Sequence, residues 1–182
     1  MGWVRSKPVY APLVPVAGAE RHVLVSWGES GARAVGRALP LSGEWIFLHG
    51  GGETPLEAVA MADQAGLLLR LGEELRVSPA STVLAVAGPE QFVWECCRVG
   101  HGCGMSREQM QAELAGSAAR SVYCVHCKAI TPGVTTNPVR CASCGQALLV
   151  RDHFSRLMVA FAGVRIDAET PGDVPETEEL FA

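Results

Sequence analysis

Four cysteines in two like-spaced pairs, Cys124-Val-His-Cys127 and Cys141-Ala-Ser-Cys144, constrain this chain more than any other feature. A C-x-x-C turn curls so that both sulfurs face one point, and two such turns bring four thiolates to the corners of a tetrahedron. Thirteen residues separate the pairs, enough for a hairpin carrying Pro132-Gly133 and Asn137-Pro138. Cys124, Cys127, Cys141 and Cys144 are therefore the candidate metal ligands. Zinc suits a closed set of four thiolates, and iron is the alternative that the spacing also admits. Lys128 and Gly145 stand where c-type haem attachment would need histidine, so that chemistry is excluded by motif. His126, inside the first knuckle, is expected to lie exposed or beside the metal rather than to ligate it.

Charge divides the 182 residues into three windows. Residues 1–113 carry a net −3, residues 114–166 a net +5, and residues 167–182, with six acidic and no basic side chains, a net −6. The small, polar stretch from Ala115 to Ser121 reads as a boundary. The expected organisation is an arm over 1–20, an α/β domain over 21–115, a zinc-ribbon-like β module over 120–166 and an acidic tail over 167–182. A module of about fifty residues has too small a core to be stable without a staple, and the metal supplies one. The tail, with Pro171 and Pro175, is expected to be a flexible arm. An overall charge of −4 speaks against a nucleic-acid surface covering the whole chain. Near the basic module only Tyr123 and Phe154 precede Phe161 as aromatics, a thin platform for stacking bases. The odd total of seven cysteines argues against a complete disulfide framework. Cys96, Cys97 and Cys103, near His101, are expected as small buried hydrophobes, with a metal or haem site as the lesser alternative.

The first window alternates strand and helix. His22–Trp27, Glu44–His49 and Thr82–Ala87 are short β-rich runs, each followed by glycine. Helices are expected over Gly31–Leu39, closed by Pro40; over Thr54 to about Arg76, with Thr54 as N-cap; and over Glu90 to about Val99. Three β–α repeats imply a parallel sheet with right-handed crossovers. The expected fold class is α/β: a degenerate Rossmann-like three-layer domain, short of the strands of a complete dinucleotide fold, followed by the small β module.

The glycines after the strands read as tight turns, with nucleotide binding as the lesser alternative. Gly28-Glu29-Ser30-Gly31 is not G-x-G-x-x-G, Glu29 puts negative charge where phosphate would sit, and no Gly-Lys-Ser/Thr occurs. His49-Gly50-Gly51-Gly52 and Gly28–Ala32 imitate the oxyanion loop and nucleophile elbow of hydrolases, but in reversed order and in too short a chain. No catalytic and no cofactor-binding residue is assigned.

No uncharged apolar run approaches the roughly 18 residues of a membrane span. Arg5, Lys7 and the apolar stretch to Gly18-Ala19 imitate a signal peptide, but Pro8, Pro12 and Pro15 break its helical core. Met1-Gly2 with Ser6 fits only the loose myristoylation pattern. The expectation is a cytoplasmic protein, away from membranes and nucleic acid.

Ala87-Gly88-Pro89-Glu90-Gln91-Phe92, a helix, and then Gly102 to Glu113 resemble the nicotinamide-binding half of the ferredoxin–NADP reductase superfamily. That family has Cys-Gly-Pro where this chain has Ala87-Gly88-Pro89, so the resemblance implies a shared fold more than shared hydride transfer. Beyond the cysteines, Leu149-Val150-Arg151-Asp152-His153-Phe154-Ser155 follows. Joined to the knuckles and the reductase-like first window, it resembles the small subunit of bacterial dimethylamine monooxygenase over most of residues 20–166. That resemblance implies membership of a hetero-oligomeric complex that uses NADPH and oxygen to demethylate dimethylamine to methylamine and formaldehyde. Flavin and an iron–sulfur cluster are implied on a reductase subunit and haem on another, which leaves this chain a docking, structural or regulatory part. Asp152 and His153 are expected to end a ribbon strand and satisfy local backbone groups, or else to touch a partner's site. A rubredoxin-like iron electron carrier and a zinc-ribbon nucleic-acid binder are the competing functions.

Overall fold

A computed structural model describes residues 7–39 and 43–181. The expectations resting on Met1-Gly2, Arg5, Ser6 and Pro40 lie outside the described residues. Two compact units emerge: residues 10–116, and residues 117–181 together with 7–9.

In the first unit, β1 (Arg21–Trp27) leads into α1 (Gly28–Arg37), then β2 (Glu44–Gly50), β3 (Val59–Met61), α2 (Gln64–Arg76), β4 (Val83–Gly88), α3 (Glu90–Gly102) and β5 (Met110–Leu114). The strands form one sheet in the order β3-β2-β1-β4-β5, and every pairing is parallel. Register is continuous from Arg21↔Glu44 to Trp27↔Gly50 and from His22↔Val83 to Ser26↔Ala87. β1 reads as an unbroken apolar run because both of its faces are covered. Val23 and Val25 pack with Leu67, Leu71, Phe92 and Val93 of α2 and α3. Leu24, one pleat over, packs with Ala34 and Val35 of α1. The result is the expected α/β fold class, a parallel sheet between two helical layers.

Two strands go beyond the expected three. The helix foreseen from Thr54 begins instead at Gln64, where the Asp63 carboxylate accepts from Gly66 N at 2.7 Å. Val59–Met61, which fitted the helical spacing, lies along β2 as an edge strand, and Leu56 stands exposed before it. Alternating apolar residues over so short a run satisfy either period, and the sheet edge decides. β5 closes the other side: Met110 to Leu114 pair with Leu84 to Gly88 of β4.

The second unit is all β. Its strands are β6 (Arg120–Cys124), β7 (Ile130–Val134), β8 (Thr136–Asn137), β9 (Val139–Arg140), β10 (Ala147–Ser155), β11 (Ala160–Arg165) and β12 (Glu178–Glu179). One sheet has the order β7-β6-β11-β10-β9, and β12 pairs with β8 apart from it. Val122, Leu148, Phe154 and Phe161 are buried here, with the two phenyl rings 4.9 Å apart. The acidic segment, expected as a free arm, is held at several points. Asp167 accepts from Arg165 and from Gly172 N, and β12 joins β8.

Candidate metal centre

Each cysteine pair sits in the same backbone turn. In the first, Cys124 N donates to Ala129 O at 2.9 Å and Lys128 N to Cys124 O at 2.9 Å. In the second, Cys141 N donates to Gln146 O at 2.9 Å and Gly145 N to Cys141 O at 3.0 Å. The residue after each second cysteine takes a left-handed conformation: Lys128 at φ 69° and Gly145 at φ 71°. Glycine adopts it freely, whereas a lysine there costs about 1 kcal/mol. A cation also closes each turn, Lys128 Nζ on Val125 O at 2.8 Å and Arg140 on Gly145 O at 3.1 Å.

These two turns bring all four sulfurs within 4.8 Å of one another, with Cys124–Cys144 at 3.9 Å and Cys127–Cys141 at 3.5 Å. A tetrahedron of thiolates about 2.3 Å from a zinc ion has edges of about 3.8 Å, so the donor set fits a four-coordinate metal. The separations are far beyond a disulfide bond of about 2.05 Å. Backbone N–H groups aimed at the sulfurs favour thiolates. The Ala129 N–H lowers the Cys127 thiol, and the Cys144 and Ser143 N–H groups take Cys141 down to about 6. The Gln146 N–H draws Cys144 down, but burial and the three other sulfurs outweigh it and leave that thiol raised to about 11. Four thiols this close resist simultaneous ionisation, and a divalent cation removes the conflict.

The other residues singled out in the sequence fall elsewhere. His126 is exposed and is not among the clustered ligands. Cys96 and Cys97 are buried in the core with α2 and the sheet, and burial raises both thiols, Cys97 to about 11. Asp152 and His153 do not end a strand. They lie inside β10, at the register shift between Val150 and Phe154. Asp152 accepts from Arg120 at 3.2 Å and from Lys7 at 3.3 Å.

Arg120 escaped the sequence reading. Its guanidinium lies between the rings of Phe161 and Phe181, at 4.0 and 3.9 Å from their centroids. Nothing local marks such a residue, because both rings are distant in the chain.

Comparison with known proteins places these features. Residues 121–164 match the family model for the C-terminal domain of the dimethylamine monooxygenase subunit DmmA-like proteins. The chain is 32% identical over 107 residues to the heme-dependent oxidative N-demethylase delta subunit of Ectopseudomonas mendocina (strain ymp), a match covering 59% of this chain and 61% of the relative's length. A solved ferredoxin reductase of carbazole 1,9a-dioxygenase, in its FAD apo form, aligns at a TM-score of 0.42 and 18% identity, over 56% of this chain and 34% of its own. The knuckles and the run from Leu149 to Ser155 both lie in the matched domain, and the chain accordingly resembles the small subunit of dimethylamine monooxygenase.

Proposed function

We propose that this chain is a non-catalytic subunit, with a structural, docking or regulatory role, of a haem-, flavin- and NADPH-dependent complex that demethylates dimethylamine to methylamine and formaldehyde. The match of residues 121–164 to the DmmA-like domain carries this reading. Cys124, Cys127, Cys141 and Cys144 would hold zinc, which when bound supplies a cross-link between the two knuckles. Four protein thiolates leave no position for substrate or water, so the site is suited to stability rather than catalysis. Haem, flavin and iron–sulfur chemistry belong, on this reading, to partner subunits.

The chain's own residues support a docking role. Arg151, His153 and Arg156 are exposed on β10 and the turn after it, a basic face for an acidic partner surface. No helix of the described residues is long and apolar enough to cross a membrane, in keeping with a cytoplasmic assembly. Reconstitution tests the proposal. The purified chain should show no amine-dependent NADPH oxidation, and a complex assembled without it should lose activity while its partners keep haem and flavin. Turnover by the chain alone, or full activity in its absence, would overturn the reading.

A further inference from the structure

An open parallel sheet in the order 3-2-1-4-5 takes dinucleotides outside the carboxyl ends of its strands, where glycines let phosphate and ring approach the backbone. This unit has that order and has glycines at those ends. We infer that its own aromatic side chains seal this crevice, so that the reductase-like unit takes no pyridine nucleotide. The inference stands apart from the subunit role proposed above.

Gly50, Gly51 and Gly88 are already used, whereas Gly28 and Gly52 have no close neighbour. The Trp27 indole lies flat against the end of β2. A Cβ at Gly50 would come within 2.6 Å of its ring, and one at Gly51 within 2.5 Å. At the end of β4, a Cβ at Gly88 would meet the Phe92 ring at 2.8 Å and the Trp27 Cβ at 3.3 Å. The two rings pack on each other at 5.7 Å between centroids. In α1, a Cβ at Gly31 would meet the Ala87 carbonyl oxygen at 2.6 Å, so that glycine serves close packing of helix on strand. Gly31, Gly50, Gly51 and Gly88 therefore admit protein rather than ligand.

Charge and a strap complete the closure. Glu29 occupies the first turn of α1, where the helix would otherwise favour a phosphate. Residues 10–14 then run over the ends of β4 and β5. The Tyr10 hydroxyl donates to Glu90 at 2.7 Å and accepts from Trp94 Nε1 at 2.8 Å. Glu113 has both oxygens committed, to Arg37 at 2.6 Å and to Leu13 N at 2.8 Å.

Calorimetric titration of the full chain with NADPH, NADH and ADP-ribose tests the seal, on a sample whose β1 and β4 amides are protected from exchange. No saturable binding up to about 1 mM is expected, and one-to-one binding of any of the three below that concentration would overturn the inference. Trp27→Ala supplies a second test. A sealing ring is part of the packing, so the variant should melt several degrees lower. An unchanged melting temperature would mean a loose flap over an open site, and would equally overturn the seal.

Discussion

Arg120 shows how one side chain fastens the second unit. Two aromatic faces and the Asp152 carboxylate surround a guanidinium that is only 10% exposed. Cation–π contacts of this desolvated kind are worth about 2 kcal/mol together with the packing they anchor. Arg120→Ala is expected to lower stability by roughly that amount, read as a lower melting temperature of the metal-loaded chain. Arg120→Lys should recover only part, because an ammonium lacks the planar surface that two rings can sandwich. The cysteine cluster was legible in the sequence because C-x-x-C spacing encodes the turn itself. The Arg120 sandwich was not, since three partners far apart in the chain meet only after the sheet has formed. His126 was legible as well: expected not to ligate, it lies exposed, because the knuckle's geometry turns the intervening residues outward.

At the scale of elements, glycine after each apolar run marked the ends of β1, β2 and β4, and the buried face of α3 followed its spacing. Edges were harder to read. β3 spans Val59–Met61 with one paired neighbour, so its residues carry little strand signal of their own. The start of α2 is the point where the two readings differ, and caps decide it. Asp63→Ala should cost about 1 kcal/mol in unfolding free energy, and Thr54→Ala close to nothing; the reverse ranking would restore the longer helix. The second knuckle makes a prediction about pH. In the fold, the Cys144 and Ser143 N–H groups hold the Cys141 thiol down at about 6. A depressed thiol contributes stability that is fully present above its unfolded value and lost as pH falls through the folded one. Bound metal competes with protons and moves that loss lower still. Metal release, followed with a chromophoric chelator, should therefore begin only below about pH 6; release at neutral pH would contradict the N–H-stabilised thiolates.

Across the whole molecule, the two units owe their stability to different sources. Residues 10–116 bury Val23, Val25, Leu67, Leu71 and Leu84 completely between sheet and helices, each worth about 1.5–3 kcal/mol. Residues 117–181, a module of small size, are proposed to depend on the knuckles. Removing the metal with a chelator should therefore abolish amide protection in β6, β10 and β11 while β1 and β4 keep theirs. Equal loss in both units would mean that the metal does not act as a local staple. The proposal at stake is a closed, structural four-thiolate site in a subunit proposed to have no chemistry of its own. Metal analysis of the purified chain, with a visible spectrum of the same sample, tests it most directly. The account predicts about one zinc per chain and no colour. Iron with thiolate charge-transfer bands that bleach on reduction would contradict it and make the chain an electron carrier.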